Sequence, residues 1–184
     1  MLSKSQQAEV DKYAPIYSEV ANYRMGQNRK MYATQNLDSV KGCKSYLDVG
    51  CGRGEMLQYA KSLGFTNTQG VESCSILTGG DVIEAAAWDL PFDDNSFEVV
   101  SLFDVIEHIL AGDDERVCRE LNRVASKHIF LTANNKSSKS LGVELHVNRR
   151  PYEEWDGLFG EWFDGEVIWS RNPNAISQTW HIQL

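Results

Sequence analysis

Long apolar runs are missing from this chain. None approaches the roughly 20 residues that a bilayer-spanning helix needs, so no membrane span is expected. Positive charge is scarce too, with 18 Lys and Arg against 26 Asp and Glu and a formal net charge of -8. A phosphate backbone would be repelled unless a local basic patch opposed that field. Arg149-Arg150 is only a pair, and Lys136, Lys139 and Arg116 are scattered, so nucleic acid is a disfavoured partner. Cysteine is sparse: Cys43, Cys51, Cys74 and Cys118 make no CxxC pair and no zinc-ligand spacing. With no signal-peptide core among the first residues, the expectation is reduced thiols in a cytoplasm.

What is present is the makings of one core. At 184 residues, with 42% hydrophobic and 24% charged positions, the chain suits a single domain over 1–184. Residues 3 to 33 are polar with recurrent Tyr13, Tyr17, Tyr23 and Tyr32, a pattern for one or two short helices ahead of the main domain. After Lys41-Gly42, Ser45 to Val49 is a short apolar run that ends in glycines, and Glu55 to Leu63 has helical spacing.

The alternation continues along the chain. Thr68 to Glu72 reads as a second strand, Ser73 to Gly80 as a poorly helical link, and Asp81 to Ala87 as a third strand-like stretch. Phe97 to Phe103 is the fourth strand, apolar and β-branched as a buried parallel strand should be. Asp113 to Ala125 is helical and His128 to Thr132 a fifth strand. Tyr152 to Phe163 is then a helix with Trp155, Leu158, Phe159 and Trp162 on one face, whose spacing suits packing on a sheet. Gly165 to Ser170 and Gln178 to Leu184 are two strands joined by Arg171-Asn172-Pro173-Asn174. The fold class is α/β: a doubly wound, mostly parallel seven-stranded sheet with an antiparallel C-terminal strand.

In such sheets ligands bind beyond the carboxyl ends of the strands, where the first strand-to-helix turn comes closest. Gly50, Gly52 and Gly54 clear that turn of side chains. Glu72 follows about 20 residues later at the next strand end, where a carboxylate accepts hydrogen bonds from ribose hydroxyls. Asp48 precedes the turn and Asp89 follows the third strand, so three carboxylates are expected at one edge. That edge favours a cationic nucleoside and repels a pyrophosphate. A dinucleotide turn would place its third glycine at position 55, which is Glu55 here, and no GxxxxGK[ST] phosphate loop occurs.

These residues resemble the class I S-adenosylmethionine-dependent methyltransferases. Leu47-Asp48-Val49-Gly50-Cys51-Gly52-Arg53-Gly54 is similar to their first motif, Val71-Glu72-Ser73 to the ribose position, and Asp89-Leu90-Pro91-Phe92 with Asp94 to Val100 to the next two. The resemblance spans about residues 45 to 132 and implies a Rossmann-like fold with S-adenosyl-L-methionine as cofactor. It implies cofactor contacts at Asp48, Gly50, Cys51, Gly52, Gly54, Glu72, Trp88, Asp89, Leu90 and Phe103, with Asp89 on the adenine amine and Trp88 flanking the ring. Residues 1–40 would be a helical flank or lid, 45–132 the cofactor-binding core, and 133–184 the substrate side and C-terminal hairpin. Tyr17, Tyr23 and Arg24 are lid candidates for the methionine carboxylate. Ser73 to Gly80 departs from the family, which usually has a fuller helix there.

Asp104-Val105-Ile106-Glu107-His108 follows the fourth strand, where acceptor chemistry is expected. If helical, it sets Glu107 and His108 within one turn of Asp104. His108 is a candidate general base oriented by Glu107, with His146 as a second imidazole. In many metal-free family members the same Glu-His pair is a structural and substrate-edge element. A minority reading makes Asp104, Glu107, His108 and His146 metal ligands, an arrangement resembling the small-RNA 3′-end methyltransferases. No Asn/Asp-Pro-Pro-Tyr follows the strand and no Pro-Cys occurs, so the likeness is to small-molecule O-, N- or C-methyltransferases, including those of quinone biosynthesis. The alternatives are a metal-assisted RNA 3′-end methyltransferase and a catalytically inactive binding subunit of the same fold.

Overall fold

The computed structural model describes residues 2–20, 23, 27–170 and 177–184. Three helices come first: α1 (Lys4–Asp11), α2 (Tyr13–Glu19) and α3 (Gln27–Ser39). Ser3 starts α1 with a reciprocal capping box, its side chain accepting the Gln6 amide N–H while the Gln6 side chain accepts that of Ser3. The third helix goes beyond the one or two expected. Its amphipathy is weak in sequence, and its apolar residues Ala33 and Leu37 show their purpose only against Met56, Leu57 and Ala60 of the next helix.

The core alternation is β1 (Ser45–Val49), α4 (Glu55–Ser62), β2 (Asn67–Glu72), β3 (Val82–Glu84), β4 (Phe97–Leu102), α5 (Asp114–Val124) and β5 (Ala125–Asn134). Then follow a two-residue hairpin, β6 (Lys139–Ser140) with β7 (Val143–Glu144), helix α6 (Tyr152–Trp162), β8 (Glu166–Ser170) and β9 (Ser177–Gln183). The sheet order is β3-β2-β1-β4-β5-β9-β8. Strands β1 to β5 pair in parallel, and β9 lies antiparallel between β5 and β8. Reversal occurs between β1 and β4, so the carboxyl ends of β1, β2 and β4 open onto one crevice.

Both faces of the sheet are packed. On one, Val117, Cys118, Leu121 and Val124 of α5 meet Val100, Leu102, Ile129 and Leu131, all fully buried. Burying each such side chain stabilises the fold by about 1.5–3 kcal/mol. Helix α6 adds Trp155 and Phe159, stacked at 5.1 Å, with Trp180 of β9 edge-on to Phe159. These aromatics are core. On the other face α3 and α4 cover Tyr46, Val99 and Phe130. Between β2 and β3 only a 3-10 turn, Ser75–Leu77, stands where a full helix is usual. The connection Arg171-Asn172-Pro173-Asn174 lies outside the described residues. No helix among the described residues is long and apolar enough to cross a membrane.

Candidate active site

The turn after β1 is built from backbone that only glycine adopts without strain: Gly50, Gly52 and Gly54 have φ of 73°, 53° and 72°. Space is as restrictive as conformation. A Cβ on Gly50 would lie 2.4 Å from Val105 Cγ2, and one on Gly52 3.1 Å from the Tyr17 hydroxyl. The turn is tied to β2 by the Gly50 and Cys51 N–H groups, which donate to Val71 O. Glu72 ends β2 facing it: Oε2 accepts the Gly52 N–H at 2.9 Å and Oε1 the Cys74 N–H at 3.1 Å.

Beneath the turn Asp48 is buried. Its Oδ1 accepts from the Ser101 hydroxyl at 2.6 Å, and Ser101 is 2.6 Å from the Tyr46 hydroxyl. Burial dominates those hydrogen bonds, which pull the other way, and pushes the carboxyl up to about 7, with nearby Glu72 adding to the rise. Burial likewise pushes the Tyr17 phenol and the Cys51 thiol far up, so both remain protonated at neutral pH.

Two cavities meet at this crevice and share Tyr17, Tyr23, Gly50, Asp104 and His108. The first runs past Glu72 and Ser73 to the Ala85–Trp88 segment, with Val105, Ile109 and Leu110 opposite and Tyr13 and Val10 as a roof. Among the described residues its acidic lining is Glu9, Glu72, Asp104 and Asp113, with no Lys or Arg, which suits a cationic ligand with apolar rings. The second passes Asp48, Cys51, Gly52 and Phe103 to Ser138, His108 and His146.

Three expected cofactor residues, Asp89, Leu90 and Gly54, are not brought to these cavities. Asp89 is exposed and faces a separate hollow with Pro91 and Arg116, while Leu90 enters the core. A turn closed by Asp89 N–H on Ala86 O directs the carboxylate outward, and Leu90 N–H is fixed by Glu120. The edge thus holds two of the three expected carboxylates. In place of Asp89 stand Ala85, Ala86 and Ala87, whose run of small residues was the missed signal of a close approach. Gly54 lines neither cavity and instead begins α4 as its N-cap. Trp88 lines the first cavity and Phe103 the second. Of the lid candidates, Tyr17 and Tyr23 line both cavities, their rings 5.1 Å apart, while Arg24 lies outside the described residues.

At the acceptor end Asp104 has a φ of 57°, and Ile106–His108 is a 3-10 turn rather than part of an α-helix. Glu107 is fully buried; His108 reaches the cavities. His146 arrives from the segment after β7, which is anchored by Asn148 N–H on Glu107 O and by the buried Asp114. That carboxylate accepts from Asn148 Nδ2 at 2.9 Å and pairs with Arg150 at 2.5 Å. The rings of His108 and His146 meet edge to face at 4.7 Å. Among the described residues, one carboxylate oxygen of Glu107 and one nitrogen of each imidazole lie within 4.8 Å of one another. Asp104 is outside this cluster, its Oδ1 accepting from Thr132 Oγ1 at 3.2 Å. Tyr13, read in the sequence only as one of a tyrosine series, puts its hydroxyl 2.6 Å from His108 Nδ1.

Comparison with known proteins matches residues 47–131 to a methyltransferase domain. A solved structure from Pyrococcus horikoshii superposes with a TM-score of 0.71 at 17% identity, covering 94% of this chain and 98% of that one. The Burkholderia thailandensis 1,6-didemethyltoxoflavin-N1-methyltransferase, solved with 1,6-didemethyltoxoflavin and S-adenosylhomocysteine, gives 0.71 at 13% identity, covering 100% and 91%. An S-adenosylmethionine-dependent methyltransferase of Clostridium acetobutylicum gives 0.68 at 10%, covering 95% and 98%. The matched segment runs from inside β1 through the glycine turn and Glu72 into β5, the same stretch that builds the crevice, so this stretch is similar to a methyltransferase domain and the chain shares the fold of S-adenosylmethionine-dependent methyltransferases.

Proposed function

We propose that the chain transfers the methyl group of S-adenosyl-L-methionine to an O, N or C nucleophile of a small molecule by in-line displacement. The observation that carries this reading is Glu72, buried at the end of β2 with Gly52 N–H on its carboxylate and lining the first cavity. The residues fit the cofactor: a first cavity whose described lining carries Glu9, Glu72, Asp104 and Asp113 suits a cationic nucleoside, and glycine at position 52 keeps the turn open beside Tyr17. When bound, the cofactor supplies a methyl group already activated by its sulfonium.

The chain's own residues then bind, orient and exclude water. Glu72 accepts the ribose hydroxyls, Trp88 and the Ala85–Ala87 run flank the adenine, and Asp48, Gly50, Cys51, Gly52 and Phe103 enclose the methionine end. The N-terminal flank serves as the lid, since Tyr13 and Tyr17 of α2 roof the cavity and Arg53 holds α2 through Tyr17 O at 3.0 Å. Glu107, His108 and His146 serve the acceptor.

A small acceptor is favoured by the net charge of -8, and the one arginine pair of the sequence is partly neutralised, because Arg150 is held by Asp114 and Glu154. The Burkholderia neighbour, named for methylating a small heterocycle, supports the same choice. Four free, buried cysteines accord with a cytoplasmic setting. Calorimetric titration with S-adenosylmethionine and S-adenosylhomocysteine is the first test: micromolar binding, lost in Glu72→Ala, is expected, and absence of binding by wild type would overturn the reading. Transfer of labelled methyl into a fractionated cell extract then assigns the acceptor class, with label in the small-molecule fraction expected.

A further inference from the structure

We infer that the β6–β7 hairpin docks the chain on an anionic lipid surface. Lys139 pairs with Glu144 and Ser140 with Val143, so the loop between the strands is Leu141 and Gly142. Both have positive φ, 49° and 78°, the pattern of a type I′ turn, whose favoured sequence is Asn-Gly. Leucine is disfavoured there twice. Its bulk suits left-handed backbone poorly, and it leaves apolar surface in water, being 51% exposed. Val143 at 43% and Val147 at 39% extend the exposed aliphatic stretch. Among the described residues Leu141 joins neither buried apolar cluster, so no packing within the fold offsets these costs. A partner that takes up the aliphatic groups does.

Charge selects the partner. Lys136, Lys139 and Arg149 flank the aliphatic residues and are exposed, and none of them forms an ion pair among the described residues. The one carboxylate between Lys136 and Arg149 is that of Glu144, and the hairpin's own donors take it up. Its Oε2 accepts from the Ser137 hydroxyl, and its Oε1 accepts the N–H groups of Ser138 and His146 at 2.9 and 3.1 Å. The net charge of -8 opposes an anionic surface as a whole, yet charges more than about 8 Å away are screened at physiological salt, so the local cations prevail. Nucleic acid offers phosphates without an apolar layer. A lipid surface offers both, with acyl chains beneath its anionic headgroups.

The hairpin is anchored from behind. Leu145 is buried with its N–H on Ser138 O at 2.7 Å, and Lys12 Nζ of the N-terminal flank donates to Glu144 O at 3.3 Å. The aliphatic tip is therefore presented on a fixed base. This surface does not depend on the methyl-transfer reading.

Sedimentation of the full chain with vesicles compares phosphatidylcholine alone with phosphatidylcholine carrying about one third phosphatidylglycerol. Binding to the anionic vesicles is expected, at least about tenfold tighter than to the neutral ones and weakened by added salt. Leu141→Asn supplies the residue that the turn favours. Its thermal midpoint should equal or exceed that of wild type while its partitioning onto anionic vesicles falls at least about fivefold. Lys139→Gln should weaken partitioning by about fivefold as well. Absence of binding, undiminished binding by Leu141→Asn, or equal binding to the two kinds of vesicle would overturn the assignment. So would a dimer in equilibrium sedimentation that Leu141→Asn dissociates, because the occupant would then be a second copy of the chain.

Discussion

The amide of Gly52 and the carboxylate of Glu72 are 2.9 Å apart across the mouth of the sheet, joining the turn after β1 to the end of β2. One side chain therefore shapes the turn and faces the cavity.

Replacing Glu72 by Ala removes both the ligand contact and the acceptor for two main-chain N–H groups. Hydrogen bonds to a charged group contribute about 1.5–3 kcal/mol each. Affinity for S-adenosylmethionine should fall by roughly 30-fold or more in calorimetry, with a lower thermal midpoint as well. Glu72→Gln, which keeps one acceptor, should lose less of both.

Asp48 gives a pH dependence of defined sign. Its carboxyl titrates near 7 when folded, against the ordinary value near 4, because burial penalises the charged form. Between those values the folded state holds a proton that the unfolded state has lost. Stability is therefore full at low pH and falls as pH rises through 7, by on the order of 4 kcal/mol for a shift of this size. Asp48→Asn should lack this slope, so its thermal midpoint relative to wild type should climb from pH 5 to pH 8. A cationic ligand favours the ionised form, and wild-type affinity for S-adenosylmethionine should accordingly rise with pH across the same window more steeply than in Asp48→Asn.

Gly50→Ala forces a Cβ to within 2.4 Å of Val105 at a φ of 73°. Left-handed backbone alone costs a non-glycine residue about 1–2 kcal/mol. Denaturant unfolding should show the single variant less stable than Gly50→Ala with Val105→Ala, because the second change relieves the steric part and leaves the backbone part.

Tyr13→Phe keeps the roof of the cavity and removes only the oxygen at His108. The loss of one neutral hydrogen bond, about 1 kcal/mol, should leave the cofactor KM nearly unchanged and lower kcat several-fold. Tyr13→Ala, which also opens the roof, should raise that KM as well.

The strand alternation, the glycine turn and Glu72 were legible because each carries its reason locally: apolar runs, absent side chains, a carboxylate at a strand end. The place of Asp89 was not legible, because a motif position does not fix which way a side chain faces. Asp89 faces a hollow with Pro91 and Arg116, while Ala85, Ala86 and Ala87 line the first cavity. Helix α3 was faint for a similar reason, since its few apolar residues acquire meaning only against α4. The joining of His146 to His108 depends on Asn148, Asp114 and Arg150, residues 34 to 36 positions apart along the chain, and no local pattern announces such a link.

The strand order also ranks the sheet's margins kinetically. Among the described residues, strand β8 pairs with the sheet only through β9, which runs antiparallel between it and β5. Amide protons of β8 that are protected by pairing must exchange whenever β9 detaches, so their opening free energy is capped by that of β9. The margin on this side frays in a fixed sequence, β8 before or together with β9, while the parallel strands around the glycine turn remain shut.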